Sequence, residues 1–261
     1  MSRERLRFVL GTVASFGLAA VVWEAFARSG LFSSALSPSL VAIFPALVGM
    51  VVNGSIFVHI AYTLYRILWG LGLAGAVGVP IGILMGRFKA VERFMLPLVS
   101  VLSPIPSLAW VPLFILWFGL GNTASIALVF YAATFPVILN SWTGGRSVNR
   151  LWVRSAEAMG AEGSRLFWKI MLPGSLPFVI AGFRQAFARS WIAVVGGEMI
   201  AATSWGLGWV IFDSKEFLRT DVMLSTLVVI GVLGLGFERL IFHAVERRTV
   251  GLWGMVRLAK S

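Results

Sequence analysis

Four ionisable side chains, Arg66, Arg184, Arg189 and Glu198, stand inside long apolar stretches of the sequence. A charge in such surroundings is costly, so each needs a partner or a task. Arg184 and Glu198 are fourteen residues apart. On one helix that spacing places them about 40° apart around the axis and roughly 21 Å apart along it, too far to pair with each other. Trp191 and Val195 share that face, whereas Arg189 points nearer Gln185. Two readings are open. The charges form structural ion pairs with other spans, for instance Arg66 with Glu198, or Arg184 and Arg189 add positive potential to a path for anions.

Catalytic constellations are otherwise missing. The only histidines are His59 and His243, near the ends of different apolar stretches, and no H-E-x-x-H spacing exists. No G-x-S-x-G elbow is present. Cysteine is absent, which excludes thiolate metal sites, disulfides and cysteine nucleophiles. No Gly-Lys dipeptide occurs, so the chain has no phosphate-cradling Walker loop. If it takes part in ATP-driven work, another subunit hydrolyses the nucleotide.

The elements that position these residues are membrane helices. The chain has 261 residues, 58% hydrophobic and 13% charged, against about a quarter charged in soluble domains. The apolar residues run in blocks of span length. Six spans are expected, near Phe8–Ala27, Ile60–Met85, Phe94–Phe118, Ala124–Trp142, Leu176–Ala202 and Met223–Ala244. Ser37–Phe57, broken by Pro38, Pro45 and Gly54, reads as an interfacial segment. Arg3–Arg7 followed by an apolar run and Ala25-Phe26-Ala27 also mimics a cleavable signal peptide, interrupted by Trp23-Glu24.

The net charge of +11 is placed between the apolar blocks, not in the aromatic-interleaved stripe of a nucleic-acid binder. Sixteen Lys and Arg flank one side of the expected spans and three the other, which puts both termini in the cytoplasm. Gly78-x-x-x-Gly82-x-x-x-Gly86 is a doubled close-approach motif. It serves packing within the chain or a surface shared with a second copy.

Gly144–Pro177 is too long for a turn and too regular for a linker. Arg150–Met159 has helix-forming composition, with Leu151, Trp152, Ala156 and Met159 near one face. Gly160 and Gly163 break it, Ser164 can cap a second short helix, and Leu172-Pro173 is expected to end that one. The product is a helix pair with a small-residue elbow that a partner's backbone can approach.

Gly160, nine residues, then Ile170-x-Leu172-Pro173 resembles the EAA loop of binding-protein-dependent ABC importer permeases. Gly174-Ser175-Leu176-Pro177, Gly182-Phe183-Arg184 and Glu198-Met199 continue the likeness. Ile105–Pro112, Leu116–Gly119 and Glu216–Val222 resemble the nitrate/sulfonate/taurine/bicarbonate subgroup. The resemblance covers about Ile60 to Gly254. One departure stands out: the family glutamate falls on Arg154, with Ser155 and Ala156 in the alanine positions. Glu157, one turn on, could occupy the same face.

The resemblance implies an all-α type I importer permease fold. Residues 1–59 form a first helix and interfacial segment, 60–250 the permease core, 144–175 its coupling loop and 251–261 a tail. Contact with two cytoplasmic ATPase subunits is expected at Arg154, Ser155, Ala156, Glu157, Ala158, Gly160, Ile170, Leu172 and Pro173. ATP and Mg would bind those ATPases and no cofactor this chain. The further partners are a second permease copy, an extracytoplasmic binding protein and membrane lipid, with no nucleic acid. The setting is the bacterial inner membrane and the cargo a small anion. The rival classes are a membrane-embedded enzyme, which needs a cluster of titratable groups, and a self-sufficient channel, which needs no long helical loop.

Overall fold

The computed structural model describes residues 3–202 and 204–238. The tail cations Arg239, Arg247, Arg248, Arg257 and Lys260, His243 and the 251–261 segment lie outside the described residues. The described chain is all helical. Helix α1 spans Arg3–Arg28, α2 Leu40–Val52, α3 Ser55–Arg87 and α4 Lys89–Leu102. A 3₁₀ turn at Ser107–Trp110 leads into α5, Val111–Phe118. Then follow α6 (Asn122–Ser147), α7 (Arg150–Ala158) and α8 (Gly163–Leu166). After a π-helical turn at Phe167–Met171 come α9 (Leu172–Ala201), α10 (Leu207–Glu216) and α11 (Thr220–Gly236).

The core is α3, α6 and α9, whose backbones approach closely because small residues line the seams. A Cβ at Gly82 would collide with the Ile138 carbonyl oxygen, and one at Gly86 would sit 2.7 Å from the Gly145 carbonyl carbon. Gly144 in turn faces Ser175 of α9. The doubled glycine motif is therefore consumed within the chain. In lipid, where apolar burial gives no drive between helices, such van der Waals contact is the main source of association. Helix α1 stands apart, tied to the start of α2: Trp23 Nε1 donates to the Pro38 carbonyl at 3.2 Å, and Leu40 N–H donates to Glu24 at 2.9 Å.

The expected six spans are corrected. Among the described residues four helices are long and apolar enough to cross a membrane, or five if one bent pair counts as a span. The bent pair is the expected Phe94–Phe118 span. It breaks into Lys89–Leu102 and Ser107–Phe118, inclined at 87°. Pro104 and Pro106 lie at that break, and neither can donate to the carbonyl one turn back. The expected Met223–Ala244 span is described only as the 17 residues of α11, about 26 Å of rise against a hydrocarbon core of about 30 Å. Residues 239–244 lie outside the described part. Within Ser37–Phe57 the 13-residue α2 is too short to span, and Ser55–Phe57 open α3.

The loop also differs in its ends. Helix α6 runs on through Gly144 and Gly145 to Ser147, so the loop proper starts at Val148. Leu172-Pro173 does not end a helix: α8 continues through the π turn into α9. Leu172 N–H bonds five residues back, to the Phe167 carbonyl. That wider register accommodates a proline that would otherwise clash with the carbonyl four residues before it. Ser164 is not the cap, because extended Glu162 holds that position and α8 starts at Gly163.

Candidate functional site: the α7 loop and the charges of α9

Helix α7 starts at a cap the sequence supplies, with the Asn149 side chain accepting from Leu151 N–H at 2.8 Å. It ends in a Schellman motif: Ala161 N–H bonds the Ala156 carbonyl at 2.9 Å, and Gly160 N–H bonds that of Glu157 at 3.0 Å. This closure requires the left-handed backbone found at Gly160, φ +78°. A Cβ at Gly160 would meet nothing of this chain. The residue thus marks an open corner with a fixed backbone shape.

The loop residues divide by direction. Ala156 is buried, and Ile170 and Leu172 pack with Val153 and Leu166 against Ile83, Val148 and Met171. They hold the loop to the body. Arg154, Ser155, Ala158 and Gly160 are exposed, and Pro173 is half-buried. Leu151, Trp152 and Met159 are exposed too, Met159 to 87%. The apolar face expected to include Ala156 is therefore split, with Ala156 turned inward and the larger side chains outward. Glu157 is already paired: Arg87, the last residue of α3, donates to its carboxylate at 2.6 Å. That pair bolts α7 to the end of a core helix.

Arg66 and Glu198 meet as an ion pair of 2.7 Å between α3 and α9, with both side chains all but inaccessible. Glu198 also accepts from Thr63 Oγ1 at 3.0 Å and from Gly208 N–H at 2.9 Å. Arg66 Nε donates to Asn122 Oδ1 at 2.9 Å. Leu207 N–H donates to Thr63 Oγ1 at 2.9 Å, and Gly206 N–H to His59 Nδ1 at 3.2 Å. Every ionised group here has several partners, as a buried charge requires. The network pins the α9–α10 turn against α3 and the start of α6. Gly206 has φ +141°, and a Cβ there would lie 2.5 Å from Arg66 Nη1.

Arg66 and Glu198 are therefore brought together, while Arg184 and Arg189 stay apart from them on the exposed face of α9. Arg184 reaches Glu238 at 3.1 Å, both half-exposed. Gln185 accepts from Asn140 Nδ2 at 3.1 Å. Arg189 borders a cavity of about 370 Å³ with Ser103, Ser107 and Tyr131 at the break after α4. No cluster of three or more metal-ligating side chains exists among the described residues. His59, noted in the sequence only as one of two histidines, and Thr63, Asn122, Gly206 and Gly208 were not identified as site residues from the sequence. The spacing 59, 63, 66 on one helix face was the signal available for the first two.

The sequence pattern of the family described as "Binding-protein-dependent transport system inner membrane component" matches residues 78–250. The chain belongs to that family. It is a permease subunit of an ABC importer, a non-catalytic component of the assembly. The taurine transport system permease protein of Escherichia coli is 32% identical over 256 residues, 96% of this chain and 92% of that protein. The bicarbonate transport system permease protein of Synechococcus elongatus is 26% identical over 248 residues, 92% and 89% of the respective chains. A solved structure of the MetNI methionine ABC transporter, described as inward facing, superimposes with a TM-score of 0.65 at 17% identity. It covers 75% of this chain and 98% of that one. In this permease the Glu157 carboxylate is paired inside the chain, with Arg87.

Proposed function

We propose that this permease works as one of two copies in a bacterial inner-membrane importer, driven by two cytoplasmic ATPases that bind ATP and Mg and supplied by an extracytoplasmic binding protein. The cargo is a small anion of the sulfonate or taurine class, by analogy with the taurine permease to which the chain is similar. Both termini and the α7 loop lie in the cytoplasm, as the excess of basic residues at the loop end of the bundle favours.

The observation that carries this reading is the outward ridge of Leu151, Trp152 and Met159, on a helix fixed to the core by the Arg87–Glu157 pair and the buried Ala156. Such a ridge suits an ATPase groove. ATP binding closes the two ATPases, α7 moves with its groove, and the Arg87 link passes that displacement to α3. The spans then rock between inward- and outward-facing arrangements as rigid bodies. At the far end the Arg66–Glu198 network keeps α3, α9 and α10 moving as one unit. The path runs along the exposed face of α9, where Arg184 and Arg189 supply positive potential. Arg66 and Glu198, buried in the protomer, serve as structural ties.

The test is reconstitution in liposomes with the ATPase inside and the binding protein outside. Radiolabelled taurine and a small alkane sulfonate should accumulate with ATP, and Arg189→Gln should raise the apparent substrate constant while leaving assembly intact. Accumulation without the ATPase, or none with it for any small anion, would remove the reading. Sidedness is checked with single cysteines. Leu120→Cys and Lys215→Cys, both exposed, should react with an impermeant reagent in sealed cells, and Met159→Cys should not.

A further inference from the structure

A cleft of about 380 Å³ lies where the end of α3 and the start of α4 meet the end of α6 and the inner side of α7. Arg87, Lys89, Arg146, Arg150 and Arg154 line it, against Glu92 and Glu157. Both carboxylates are engaged, Glu157 with Arg87 at 2.6 Å and Glu92 with Arg146 at 3.7 Å. Lys89, Arg150 and Arg154 have no acidic partner among the described residues. Cations converging on one cleft repel each other unless an anion sits between them.

A second cavity, of about 570 Å³, shares Arg87, Glu157 and Met171 with the first. Its other walls are mainly apolar, built by Ile83, Leu84, Phe88, Leu166, Phe167 and Trp168, with Glu162 and Ser164 also lining it. Two cations of the basic cleft lie over aromatic rings, Arg87 over Phe88 and Arg146 over Trp142, each 5.4 Å from the centroid. Aromatic and basic side chains combined at span ends are the anchors of a membrane–water interface.

We infer that the two cavities hold one anionic phospholipid, its phosphate among Lys89, Arg150 and Arg154 and an acyl chain along the apolar walls. The inference rests on the cytoplasmic placement of α7 proposed above. A free phosphate would use the basic cavity alone. An acidic segment of the ATPase would seat on the exposed Leu151, Trp152 and Met159, which line neither cavity. Only an amphiphile uses both cavities. Bound there, the lipid joins α7 to the ends of α3, α4 and α6 and holds the posture in which the loop meets its ATPase. Anionic lipid then favours coupling, and a wholly zwitterionic bilayer weakens it.

Lipid retention is read by native mass spectrometry on the permease alone and in complex with its ATPase, after exposure to vesicles of equal parts phosphatidylglycerol and phosphatidylcholine. Assembly is scored first, by size exclusion, so that loss of the complex and loss of the lipid are separate results. The parent should retain phosphatidylglycerol over phosphatidylcholine. The double variant Lys89→Gln, Arg150→Gln should bind it about thirtyfold more weakly, from about 1 kcal/mol per basic residue at an anionic surface. Trp168→Ser, at an exposed position, should shorten retention as well, and millimolar inorganic phosphate should not displace the lipid. Equal retention of the two lipids would overturn the inference, and displacement by inorganic phosphate would replace the lipid with the free ion. A double variant that keeps its lipid but no longer binds the ATPase would assign the cations to the ATPase instead.

Discussion

Replacing Arg66 by methionine removes the 2.7 Å partner of Glu198 but leaves the bonds from Thr63 at 3.0 Å and Gly208 at 2.9 Å. Glu198 would then be a buried carboxylate held only by neutral donors. Breaking a buried pair from one side costs about 3–5 kcal/mol. A chain of this size loses about 2–4 °C of melting temperature per kcal/mol, so Arg66→Met should melt about 10 °C below the parent. Adding Glu198→Gln removes the stranded charge, while the amide oxygen can still accept from Thr63. The double variant should lose only about 1–2 kcal/mol for its weakened hydrogen bonds. The singles and the double, measured by tryptophan fluorescence during heating in one detergent, close a double-mutant cycle. The double should melt above Arg66→Met by several degrees. Losses that add across the cycle, or an Arg66→Met protein melting within two degrees of the parent, would refute the network as the tie between α3 and α9.

Gly206→Ala should destabilise the same network by a comparable amount, because its Cβ would lie 2.5 Å from Glu198 Cδ; the same melting assay reads it. Gly160→Val forces a β-branched side chain onto φ +78°, at a strain of about 1–2 kcal/mol. The protein should insert normally while substrate-stimulated ATP hydrolysis in liposomes falls about tenfold. Arg87→Glu and Glu157→Arg should each weaken coupling, and combining them should restore most of it, since the 2.6 Å pair reforms with its charges exchanged. Singles with parental transport would show that the bolt is dispensable.

Much of this was written in the chain. Apolar blocks and glycine spacing announced the helices and their packing, and the distance between Arg184 and Glu198 correctly required each to find its partner elsewhere. The Gly160 elbow was legible because its glycine is a backbone requirement, and backbone requirements are local. The break after α4 was hidden by hydropathy: Pro104 and Pro106 are as apolar as a span demands, yet their missing N–H groups turn the chain by 87°. Leu172-Pro173 misled in the opposite sense, because a π turn accommodates a proline that an α register would not. The direction of Glu157 depends on Arg87 at the end of α3, and Val153 packs in one cluster with Ile83 of the same helix. No spacing within the loop encodes them. The Gly206 contact to Glu198 likewise arises from a turn folding back on its own helix.

The central claim is that α7 is the seat of a separate ATPase. The cysteine-free sequence allows it to be tested with one reactive position at a time. Met159→Cys at the tip of α7 and Leu120→Cys at the opposite end of the bundle are both exposed. Each is treated with a short bifunctional maleimide in membranes containing the ATPase with a single cysteine in its proposed groove. The account predicts a cross-linked species of summed mass from Met159→Cys, its yield changing with ATP, and none from Leu120→Cys. Cross-linking from position 120 with none from 159 would contradict it.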